Sequence, residues 1–126
     1  MTRVSLDPCA IQVSDRDRAN AFHRDALDAE AIPRGAGFAW RFGPVQLDAH
    51  GRGAQAAPLA RVPVAPGNGD LCFAWDGTEA EARAPLARYG VVVDLGPVAR
   101  NGARGAGVSL CFRDPDGSLI ECVTCP

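Results

Sequence analysis

The chain runs through the same order of patterns twice, and that repeat constrains its fold more than any single element does. In "CAIQVSD", residues 9–15, Cys9, Ile11 and Val13 alternate with Ala10 and Gln12, the period of a half-buried strand. Asp15 stands where a helix N-cap belongs, ahead of "RDRANAFHRDALD" over 16–28, in which Ala19, Phe22, Ala26 and Leu27 make one apolar stripe. Two short strand-like runs follow, "GFAWRFG" and "PVQLDAHG", parted by a Gly-Pro turn signal. Residues 51–68 are rich in Gly, Ala and Pro, have no period, and read as a linker or mobile loop.

The order then begins again. "DLCFAWD" reads as a strand, "TEAEARAPLARYG" as a helix, and "VVVDLG", "GVSLCFRD" and "SLIECV" as strands, with a turn at "DPDG". Thr78 and Glu81 form a capping box, and Gly90 occupies a helix C-cap position. Pro85 lies within that helix, where proline removes a hydrogen bond and costs about 3 kcal/mol, so a kink or a late start is expected. Two strand-helix-strand modules imply an α+β fold in which duplicated halves share a sheet with helices on its outer face. A cleft between such halves is a common place for a ligand.

With 126 residues, 47% of them hydrophobic, the chain can bury one core, and a single domain over 1–126 is expected. Its first module covers about 5–50, the linker 51–68 and the second module about 69–126. Thirteen basic and fifteen acidic residues give a formal charge of -2, and neither sign forms a block, so neither nucleic acid nor a membrane surface is expected as a partner. No leader pattern and no apolar run near the ~18 residues of a membrane span are present, which points to a cytoplasmic protein. Five cysteines, an odd and scattered set, are expected to be reduced. Cys122 and Cys125 form a C-x-x-C that could be a redox pair or half a zinc site; lacking a second pair, and not opening a helix, it reads as small hydrophobes.

Glu121 is the residue that asks for chemistry. It sits inside "SLIECV", a run otherwise fit for burial, and an ionised carboxylate leaves water only with a partner.

The phrases "AIQVSDRDRANAFHRDAL", "RFGPVQLDAH", "GNGDLCFAW" and "GPVARNGARGAGVSLCFRDPDGSLIE", in that order and at these distances, resemble the vicinal oxygen chelate superfamily. Glyoxalase I, fosfomycin and bleomycin resistance proteins and extradiol dioxygenases belong to it, and its small glyoxalase-domain members are the most similar. The resemblance implies two βαβββ modules forming a cupped mixed β-sheet, a divalent metal at its floor and a homodimer. Carried over by position, the ligands fall at 8, 48, 70 and 121. Glu121 meets the family's final glutamate, Asp70 a position that is usually His, and Asp48 one that is sometimes Glu. Position 8, usually His, is Pro8, which has no donor atom, and strand alternation points Cys9 to the opposite, helix-packed face.

His50 matches a histidine of close relatives, and period-2 counting puts it on the face of Gln46 and Asp48. The implied metal set is therefore His50, Asp70 and Glu121, with Asp48 as a further ligand, for Mn, Fe, Ni, Zn or Mg; a protein without any metal is the other expectation. Glu121 and His50 are the candidate catalytic groups. Gln12, Gln46, Asp48, Trp40, Arg100 and Arg113 are the candidates for ligand binding. Arg100 and Arg104 lie in a glycine-rich stretch that could clamp a phosphate or carboxylate. Phe38, Trp40 and Phe42 share a face that either lines the cup or packs under a helix, and His23, at a position often Tyr in relatives, reads as packing.

In a plainer reading Glu121 is a buried acid held by Arg113 or Gln12. Three functions compete: metal-free binding of a small molecule, in the manner of bleomycin-sequestering proteins; a metal-dependent lyase, isomerase or dioxygenase; and acid-base chemistry without metal.

Overall fold

The computed structural model describes residues 3–34, 37–51 and 57–124. The chain divides into two compact units, Met1–Pro66 and Gly67–Pro126. Each is a strand, a helix and three strands.

In the first unit these are β1 (Cys9–Gln12), α1 (Arg16–Leu27), β2 (Glu30–Arg34), β3 (Gly37–Phe42) and β4 (Val45–His50). The sheet order is β1-β4-β3-β2, with β1 parallel to β4 and the other pairs antiparallel. Asp15 caps α1 as its sequence position suggests, accepting from the Arg18 N–H at 3.1 Å. Ala19, His23, Ala26 and Leu27 are its buried residues. They cover the sheet face that carries Ile11, Phe38, Trp40, Leu47 and Ala49, all buried. His23 stacks on Trp40 with ring centroids 3.6 Å apart, and the Trp40 indole N–H donates to Asn20 Oδ1 at 3.0 Å. The aromatic alternation is thus settled: Trp40 belongs to the core under α1 and does not line the open face.

The second unit consists of β5 (Asp70–Trp75), α2 (Glu79–Arg88), β6 (Val93–Gly102), β7 (Gly105–Arg113) and β8 (Leu119–Thr124). Its sheet order, β5-β8-β7-β6, reproduces the first, with β5 parallel to β8. The Thr78 hydroxyl accepts from the Glu81 N–H and donates to its carboxylate, at 3.1 and 3.0 Å, so the Thr78–Glu81 pair caps the helix start. Gly90 closes the helix at φ +72, a left-handed value that a side chain resists. Ala82 and Leu86 are buried, and α2 packs against β7 and β8, where Leu110, Phe112, Ile120 and Cys122 form the core.

Three sequence expectations are corrected. Helix α2 does not start late: the Thr78 cap fixes its start at Glu79, and Pro85 lies within it between the buried Ala82 and Leu86. Strand β2, "EAIPR", was hidden by Pro33; it is an edge strand, where a missing N–H is tolerated. Finally, β6 does not stop with "VVVDLG" but runs on past Gly96-Pro97 to Gly102, and "RNGARGAG" forms the tip of the β6–β7 hairpin. A register shift between Leu95 and Val98 absorbs the proline, and Gly96 sits there at φ +127.

No helix among the described residues is long and apolar enough to cross a membrane. Of the stretch read as a linker, residues 52–56 lie outside the described residues, and the described remainder has no helix or strand.

Candidate functional site

On the first unit, the register assembles a polar face opposite the core. Ala10 pairs with Asp48 and Gln12 with His50, while Ala39 and Arg41 of β3 pair with Asp48 and Gln46. Partners in register point to the same side of a sheet, so Gln12, Arg41, Gln46, Asp48 and His50 share one face, as period-2 counting requires. Arg34 joins them from β2 through its pairing with Gly37. A chain of donors holds the acid: Arg41 Nη2 donates to Gln46 Oε1 at 3.0 Å, and Gln46 Nε2 to Asp48 Oδ1 at 2.9 Å. Arg34 Nη1 reaches the same Oδ1 at 3.2 Å. Arg34, Gly37, Phe38, Asp48, Ala49 and His50 line a cavity of about 180 Å³.

On the second unit, Cys72 pairs with Glu121, and Glu121 with Cys111. Asp70, two residues before Cys72 on β5, therefore shares the face of Glu121. Ser109, fully buried, donates its hydroxyl to Glu121 Oε2 at 2.6 Å. Sequence reasoning expected Arg113 or Gln12 in that role. Arg113 instead pairs with Asp94 at 3.0 Å and with the Gly117 carbonyl. The signal for Ser109 was available in "GVSLCFRD", where it alternates with Cys111 and Arg113 on what had to be one face.

Burial pushes the Cys111 thiol up from its ordinary pKa; the Glu121 and Asp70 carboxylates add to the shift, and Arg100 and Arg113 oppose it. Cys122, on the core face, is pushed up to about 12, mainly by burial. Thiols raised in this way are poor nucleophiles, consistent with small-hydrophobe roles. Cys125, the other half of the C-x-x-C, lies outside the described residues.

A second cavity of about 190 Å³ is lined by Cys72, Ala74, Gly102, Ala103, Arg104 and Val123. Arg104, on the hairpin turn, reaches it; Arg100 lies on β6 and donates to the Ala99 carbonyl at 3.2 Å. The two arginines are thus placed differently, and only Arg104 lines the cavity.

Among the described residues, no three His, Cys, Asp or Glu side chains gather into a group that could hold a metal ion. Pro8 offers no ligand atom, Asp48 Oδ1 accepts from Arg34 and Gln46, and Glu121 Oε2 accepts from Ser109.

No family model matches the chain. It is 38% identical over 118 residues to the glyoxalase domain-containing protein RDO1 of Mycosarcoma maydis, covering 93% of this chain but only 66% of that protein. It is 32% identical over 117 residues to virulence protein STM3117 of Salmonella typhimurium, covering 92% of this chain and 81% of that one. Among solved structures, an integron cassette protein from the mobile metagenome of V. cholerae superposes with a TM-score of 0.90 at 36% identity, over 100% of this chain and 98% of the other. The chain belongs to the vicinal oxygen chelate superfamily.

More distant vicinal oxygen chelate structures share the fold alone. Lactoylglutathione lyase from Agrobacterium tumefaciens matches with a TM-score of 0.70 at 23% identity, covering 95% of this chain and 92% of its own. TnmS3, an antibiotic binding protein from Streptomyces, matches with a TM-score of 0.72 at 21% identity over the whole of both chains.

Proposed function

We propose that this chain is a small-molecule-binding protein of the glyoxalase and bleomycin resistance type that holds its ligand on polar sheet faces without depending on a metal. The observation that carries the reading is that its acids are already held by the protein's own donors. Asp48 has Arg34 and Gln46, Glu121 has Ser109, and the first ligand position is Pro8. An acid fixed by hydrogen bonds serves as an oriented acceptor for a ligand's N–H or O–H. One fold neighbour is an antibiotic binding protein, and capture of a compact, drug-like molecule comes to this chain by that analogy. A homodimer goes with the reading, as an inference from the family, and the cytoplasm is its proposed location.

A second reading keeps the metal. It is favoured by Asp70 and Glu121 sharing one face of their sheet, and it uses them with His50 in a lyase, isomerase or dioxygenase. Metal analysis of the purified protein, followed by melting with Mn, Fe, Ni, Zn and Mg, decides between the two, since specific binding raises Tm by mass action. The binding reading expects no stoichiometric metal and no metal-dependent rise in Tm. One bound metal per chain, lost in Glu121→Gln, would replace it with the metalloenzyme.

A further inference from the structure

The cavity of the first unit holds one guanidinium and one carboxylate, Arg34 and Asp48, with the half-buried His50 beside them. At about 180 Å³ it has room for an organic acid of a few carbons. Asp48 does not depend on one long side chain for its position, because the Arg41–Gln46 relay fixes its Oδ1 from the other side. Arg34 spends one N–H of its five-donor fork on that oxygen, and its side chain is 54% exposed. The wall therefore presents a fixed acceptor next to a cation with donors to spare. At the rim, a Cβ on Gly37 would come within 2.8 Å of the Ala49 carbonyl oxygen, so a side chain there would have to displace the strand.

We propose that this cavity binds a small monocarboxylate carrying a hydrogen-bond donor on the neighbouring carbon. Arg34 takes the carboxylate through its planar fork, and Asp48 accepts from the adjacent donor. This deepens the metal-independent reading and rests on it: Arg34 supplies the positive charge that would otherwise fall to a metal. A dianion such as phosphate is disfavoured by Asp48 in the same wall. An acid without the donor would forgo the bond to the second Asp48 oxygen, since Oδ1 already accepts from Arg34 and Gln46.

Two acids of nearly the same shape test the idea, 2-hydroxyisobutyrate and pivalate, which differ by a hydroxyl against a methyl. Amide chemical shifts of the full chain are followed during titration with each, and with inorganic phosphate, in the presence and absence of EDTA. The hydroxy acid is expected to shift amides at Arg34, Gly37 and 48–50 saturably, with pivalate weaker by about tenfold. In Arg34→Met the saturable shifts should vanish while the spectrum stays dispersed. Equal binding of pivalate, tighter binding of phosphate, retention in Arg34→Met, shifts confined to the cavity of Cys72 and Arg104, or no saturable shift at all would each overturn the proposal. If Arg34→Met fails to fold, the comparison of the two acids on the unaltered chain still decides. Binding abolished by EDTA would sink the metal-free reading itself, whereas absent binding with and without EDTA removes only the ligand class.

Discussion

His23 shows at the scale of one residue how a core position constrains the molecule's pH behaviour. Its ring is fully buried, stacked on Trp40, with Nδ1 donating to the Ala19 carbonyl at 2.9 Å. Its Nε2 is buried without a partner. Burial holds the imidazole pKa down at about 4, against an ordinary 6.5. The unfolded chain thus takes up a proton near pH 6.5 that the native chain refuses until about pH 4. Stability from this group is complete above pH 6.5 and falls as the pH drops through that window, by about 2 kcal/mol at pH 5. His23→Phe keeps a flat ring against Trp40 and removes both the titration and the orphaned nitrogen. Urea melts at pH 7 and pH 5 should show the variant at least as stable at pH 7 and without this share of the acid loss; an unchanged pH slope would contradict the assignment.

At the scale of elements, proline is the recurring theme. Pro33 and Pro97 both fall in edge strands, and sequence patterning ended or missed those strands because proline is normally a breaker. Only the tertiary position, at the edge of their sheet, makes them strands, and local sequence does not encode that position. The duplicated order, both helix caps, the C-cap Gly90 and the shared face of Gln46, Asp48 and His50 were legible, because each depends on spacing within one element. Less was legible for contacts across strands. Ser109 meets Glu121 through the β7–β8 register, and Trp40 goes to the core because α1 covers its face. Pro85 is different: it lies in the seventh position of α2, where its nitrogen cannot donate to Glu81. Pro85→Ala restores that bond and relieves the ring, a gain of up to about 3 kcal/mol, partly offset by about 1 kcal/mol of added unfolded-chain entropy. A net rise of about 2 kcal/mol in urea denaturation is expected, and a loss would mean that the helix uses the proline for packing.

For the whole molecule, the repeat fixes which backbone is protected. Each unit has two central strands, β4 and β3 or β8 and β7, flanked by β1 and β2 or β5 and β6. A central strand has a neighbour on both sides for its N–H groups, while an edge strand turns half of them outward, toward whatever lies beyond the sheet. The large apolar side chains of the strands follow the same division: Trp40, Leu110, Phe112 and Ile120 are at or near zero exposure, all on central strands, whereas Leu95 on β6 is 49% exposed. Native-state hydrogen exchange should therefore find its slowest amides at Trp40, Leu47, Leu110, Phe112 and Ile120, with β2 and β6 exchanging orders of magnitude faster. The outward amides of an edge strand can become slow only if something pairs with them. Protection of β2 or β6 equal to that of β3 or β7 would thus contradict the prediction and show that something pairs with that edge.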